Sequence, residues 1–88
     1  MYALCYASGE IVFARTIPVD TQALPIAHGP AKKLRERISA VARHAYDGET
    51  LLVPGIPEAP DQKHAMDALL RFMDWIRPSF KRDGLSVP

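Results

Sequence analysis

Apolar positions near the start of the chain alternate with polar or small ones. Residues 2–7 (Tyr-Ala-Leu-Cys-Tyr-Ala) and 10–16 (Glu-Ile-Val-Phe-Ala-Arg-Thr) are rich in aromatic and β-branched types, with Ser8-Gly9 between them. A period of two interrupted by a glycine-containing pair predicts a β-hairpin. One face of its first strand carries Tyr2, Leu4 and Tyr6, and the other carries Ala3, Cys5 and Ala7. The second strand separates Ile11 and Phe13 from Val12 and Ala14. Residues 17–29, with Pro18, Pro25 and Gly29, read as a connector. Its Ile17, Val19, Leu24 and Ile26 are enough to hold it against the body of the domain.

The period then changes. After Gly29-Pro30, Ala31, Leu34, Ile38, Val41 and Ala45 recur at spacings of three and four, which predicts an amphipathic helix. Proline at the first helical position loses no needed hydrogen bond, and Asp47-Gly48 supplies a left-handed stop. Thr50 to Val53 is a short strand candidate halted by Pro54-Gly55. A second helix is predicted from about Pro60 to Arg77, with Ala65, Leu69, Phe72, Met73 and Ile76 as its buried stripe. Pro78 is expected to end it, because proline cannot supply the next helical N–H.

The predicted order is ββαβα in one α/β (α+β) domain over residues 1–78, followed by a polar, flexible tail over 79–88. A connection through the first helix allows the third strand to join the hairpin in parallel. Two helices then cover one face of a three-stranded sheet. Leu34, Ile38, Val41, Leu69, Phe72 and Ile76 are expected to be buried together against that face.

Composition narrows the function classes. Eighty-eight residues leave room for one core only. The net charge of +1 is too small for an acidic mimic of DNA, and too small for a basic protein that coats nucleic acid. A single cysteine, Cys5, forms no internal disulfide, which suits a reducing compartment. With no basic, apolar leader and no apolar run of about 20 residues, the expected location is cytoplasmic, away from membranes.

Catalytic and metal-binding patterns are missing from the sequence. His28, His44 and His64 stand apart from one another, from Cys5 and from carboxylates at ligand spacing, so no metal or other cofactor is expected. Ser8 and Ser39 lack the Gly-x-Ser-x-Gly context, and Cys5 sits among apolar neighbours that raise a thiol pKa. Residues 27–33 open a helix with glycine and lysine but lack the Gly-x-x-x-x-Gly-Lys spacing that cradles phosphate. The chain therefore reads as a binding protein and not as an enzyme.

Two candidate surfaces remain. Residues 28–46 carry five basic side chains against Glu36 alone, while residues 47–59 carry three acids and no base. Lys32, Lys33 and Arg43 lie off the apolar stripe of the first helix, where they form either a solvated face or a docking face for an anionic partner. On the second helix Trp75 projects about 110° from the centre of the stripe, beside Arg71. It is either an interface anchor or a packing residue against the sheet edge or the basic first helix.

Four stretches taken together resemble one known group of proteins. They are Tyr6-Ala7-Ser8-Gly9-Glu10-Ile11-Val12-Phe13, Leu24 to Ala31, Ala42 to Gly48, and Leu51 to Ala59. The sequence over residues 2–76 is similar to small proteins of Mu-like bacteriophages and prophages that are commonly labelled host-nuclease inhibitors. The resemblance implies a counter-defence role with a host nuclease or defence protein as partner, such as an exonuclease or helicase–nuclease that degrades linear DNA ends. It carries no residue roles. Two other readings stand beside it: an accessory factor that binds nucleic acid at DNA ends, and a regulatory or structural homodimer.

Overall fold

The structure, a computed structural model, describes residues 1–88. Strands β1 (Tyr2–Cys5) and β2 (Glu10–Ala14) form the hairpin that the alternation predicts, paired from Tyr2↔Ala14 to Cys5↔Ile11. Its turn is wider than the Ser8-Gly9 pair alone. Tyr6 N–H donates to Glu10 O at 2.9 Å and Gly9 N–H donates to Tyr6 O at 2.8 Å, so Ala7, Ser8 and Gly9 form a three-residue loop. Gly9 takes φ +91°, the left-handed position such a loop requires.

Part of the expected connector is a strand. β3 (Leu24–His28) pairs antiparallel with the free side of β1, with a register shift between Ala3 and Leu4. Pro25 is tolerated because β3 is an edge strand, so a missing N–H opens no central ladder.

Helix α1 (Ala31–Val41) uses Pro30 as its cap and buries Leu34 and Ile38, with Val41 half-buried. It stops well before Asp47-Gly48. Ala42 N–H makes the last helical bond, to Ile38 O, and the chain straightens into β4 (Arg43–His44). Asp47-Gly48 then turns a tight hairpin into β5 (Leu51–Leu52), which pairs with β4 on one side and β2 on the other. The helical stop signal is thus the hairpin turn, since both need a glycine at positive φ (here +77°).

The three-stranded sheet and the ββαβα order are therefore corrected. The order is βββαββα, and the five-stranded sheet runs β3-β1-β2-β5-β4 with every pair antiparallel. The expected parallel crossover fails for a simple reason. β4 and its turn reverse the chain between α1 and β5, so β5 returns antiparallel to β2.

Helix α2 (Gln62–Arg82) starts at Asp61, whose carboxylate accepts the His64 N–H at 2.8 Å. It runs through Pro78, against expectation. Pro78 and Asp74 are both exposed, so the carbonyl that Pro78 leaves without a helical partner lies on the outer side, while Phe80 two residues on is fully buried. The apolar stripe thus continues as Leu69, Phe72, Ile76 and Phe80. A Schellman motif closes the helix: Leu85 N–H bonds Phe80 O at 2.9 Å and Gly84 N–H bonds Lys81 O at 3.1 Å, with Gly84 at φ +82°. Residues 79–88 are accordingly part of the packed domain. Leu85 joins the core, and Ser86 exchanges two 2.8 Å backbone bonds with His28 at the outer edge of β3.

The core unites both helices with one sheet face. Leu34 and Ile38 of α1 and Leu69, Phe72, Ile76 and Phe80 of α2 join Ala3, Cys5, Ile11 and Ile26, with Val41 partly buried against them. Burying each of the large side chains stabilises the fold by about 1.5–3 kcal/mol. No helix is long and apolar enough to cross a membrane.

Candidate binding groove

Ending α1 at Val41 breaks up the basic face read from the sequence. Arg43 belongs to β4 and pairs with Glu58. Lys33 Nζ donates to Asp83 O at 2.7 Å, and Arg37 Nε meets Asp83 Oδ2 at 2.9 Å, so two cations of α1 serve to hold the C-terminus of α2. Arg35 lies 4.8 Å over the Phe13 ring. Lys32 remains exposed and unpaired at the start of α1. Lys32, Lys33 and Arg43 therefore do not form one stripe.

The Trp75 shoulder does come together. Trp75 is 65% exposed, and its ring sits 6.3 Å from that of Phe72, tilted by 49°. The packing alternative is therefore not what is observed: most of the indole faces outward. Beside it lies an open groove of about 400 Å³ lined by Val41, Pro54, Gly55, Ala68, Arg71 and Phe72. The base of the β4–β5 hairpin supplies one wall and α2 the other. Gly55 takes φ +89° in the loop after β5, facing Ala68 closely enough that an added Cβ would lie 3.6 Å from the Ala68 Cβ. Arg71 lines the groove and makes no hydrogen bond or ion pair within the chain. Its guanidinium is free for an incoming anionic group.

The remaining polar chemistry is local. The His28 ring packs 4.3 Å from Tyr2, His44 Nδ1 lies 3.0 Å from Gly48 O, and His64 Nδ1 lies 2.8 Å from Asp61 Oδ1. No three histidine, cysteine or acidic side chains converge as metal ligands would. Hydrogen bonds hold the carboxyls of Asp47 and Asp61 below their ordinary value: Thr50 and Glu49 serve Asp47, and His64 serves Asp61. Burial pushes the Cys5 thiol up to about 12, so it is a poor nucleophile at neutral pH.

Two features escaped sequence reasoning. Tyr46 is fully exposed at the tip of the β4–β5 hairpin, where the helical pattern had placed it on α1. A hollow of about 520 Å³ also opens where Tyr6, Leu24 and Met66 meet Glu10, Gln22 and Gln62. The tyrosine directly before Asp47-Gly48 was a usable signal, because residues flanking a two-strand turn project outward. The hollow depends on β3, which proline had disguised.

Comparison with family models, with curated proteins and with solved structures returned no match.

Proposed function

We propose that the protein is a non-enzymatic, phage-encoded binding protein that inhibits or redirects a host DNA-degrading nuclease or a related defence protein. The partner docks on the Trp75–Arg71 groove. One observation carries the choice of surface: the largely exposed indole of Trp75 stands at an apolar hollow beside Arg71, an arginine with no partner in the chain. Aromatic and arginine side chains beside an apolar hollow are the residue types on which interface energy concentrates. The choice of partner class is supported by the resemblance of residues 2–76 to labelled nuclease inhibitors.

Direct binding of DNA ends is the weaker reading. It needs a track of free cations along a phosphate backbone, and Lys33, Arg37 and Arg43 are already engaged within the chain.

The test has two parts. Purified protein added to a bacterial lysate should slow the degradation of linear duplex DNA, and tagged protein should retain the nuclease from a lysate cleared of nucleic acid. Trp75→Ala should lose both effects while keeping its fold. Unchanged DNA lifetime at saturating protein would refute the inhibitory role. Binding of the isolated protein to DNA that falls steeply with salt would favour the accessory-factor reading instead.

A further inference from the structure

The β4–β5 hairpin ends in a side chain with no partner in its own chain. Tyr46 is fully exposed, and Asp47 and Glu49 follow it. The tip is held rigidly. Asp47 Oδ1 accepts the N–H groups of Glu49 and Thr50 at 3.0 Å each, and Thr50 Oγ1 donates to Asp47 Oδ2 at 2.9 Å. Ala45 N–H donates to Thr50 O at 2.8 Å, and Gly48 N–H to Ala45 O at 2.9 Å. A preorganised aromatic tip loses little conformational freedom on docking. It also carries negative charge, from the carboxylates of Asp47 and Glu49.

The groove described above has the complementary character. It offers an apolar floor (Val41, Ala68, Phe72), an exposed indole and the free Arg71. Hairpin tip and groove cannot meet within one chain. Val41 and Pro54 mark the base of the two-residue β4–β5 ladder, and Tyr46 marks its opposite end. Between two chains they can. Two hairpins set side by side and antiparallel about a two-fold axis bring each tip toward the other's base, and a reciprocal contact of this kind closes at two copies.

We infer that the protein forms a two-fold homodimer in which the acidic Tyr46 hairpin of each copy occupies the Trp75–Arg71 groove of the other. The dimer rests on the same groove as the proposed function, so a second copy and a host partner compete for it. Partner binding then draws on the monomer, and free protein stores its docking surface covered.

Sedimentation equilibrium of the purified chain over roughly 10 μM to 1 mM measures the association directly. Tyr46→Ala should weaken it by about 30-fold, as loss of a central aromatic anchor does. Arg71→Glu and Glu49→Lys should each weaken self-association, because each sets like charges against one another. Mixing these two variants should restore dimers, since one contact is then native and the other has its charges exchanged. Circular dichroism checks that each variant is folded. A chain that stays monomeric throughout, a dimer indifferent to Tyr46→Ala, or a mixture that does not recover would each overturn the inference. Tyr46→Ala should still retain the host partner, whereas Trp75→Ala should lose both activities, so the two readings fail separately.

Discussion

Replacing Phe80 with Ala tests whether the domain extends past Pro78. Phe80 is 1% exposed and sits in the same cluster as Ile76, Leu34 and Leu85. Removing a buried phenyl group costs about 3–5 kcal/mol, from lost transfer free energy and the cavity left behind. A domain of 88 residues is stable by about 4–13 kcal/mol in total, so the variant loses a large part of its stability. At about 4–8 °C per kcal/mol for a chain of this size, the melting temperature should fall by about 12–40 °C. Thermal and urea unfolding followed by far-UV circular dichroism reads the change, with Val19→Ala at a fully exposed site as control. If Phe80→Ala melted within about 3 °C of the parent, residues 79–88 would not be packed as described and the helix would end at Pro78.

Pro78→Ala should stabilise the protein by about 1–3 kcal/mol, because it restores a helical N–H at an exposed site; a lower urea midpoint would contradict the continuous helix. Gly29→Ala should destabilise by about 1–3 kcal/mol, since an added Cβ overlaps the Leu85 Cδ2. Combining it with Leu85→Ala should give a loss smaller than the sum of the two single losses, measured by a double-mutant cycle in urea. Cys5 should resist a thiol reagent at pH 8 until denaturant is added. Because its folded pKa is raised, the unfolded chain loses its proton first. Stability should therefore decline as pH rises from about 9 toward 12, and Cys5→Ala should remove that part of the decline. His64→Ala removes a ring contact to Asp61 but keeps the backbone N-cap bond, so α2 should persist with little change in ellipticity.

Local pattern made some of this structure legible and hid the rest. The β1–β2 hairpin and the division of its faces follow from alternation alone, as do the positions of Leu34, Ile38, Leu69, Phe72 and Ile76 on the inner faces of two helices. Those signals are strong because the side-chain periods of strand and helix repeat several times within one element. The same spacing puts Trp75 and Arg71 on one flank of α2. The exposure of the indole, and the wall of Val41, Pro54 and Gly55 beside it, belong to elements distant in sequence.

The errors fall where one local signal serves two structures. Asp47-Gly48 ends a helix or turns a hairpin equally well, and Val41 and Ala45 keep helical spacing across the break. Pairing of β5 with β2, which burial of Leu51 favours, and of β4 with β5 decides for the hairpin and moves Arg43 off α1. Pro25 argues against a strand, but an edge position removes the penalty. Pro78 argues for a helix end, but burial of Phe80 and Leu85 outweighs one exposed carbonyl without its helical partner.

By itself, then, the sequence determined a small α+β fold, its first hairpin and the inward stripes of both helices. Each of these depends on neighbours within a few residues. Only the tertiary structure decided the five-stranded antiparallel sheet, the reach of α2 to Arg82, the capture of Lys33 and Arg37 by Asp83, and the meeting of Arg71 and Trp75 with the hairpin base. These choices depend on buried area gained between segments far apart in the chain, worth several kcal/mol, against local preferences worth about one.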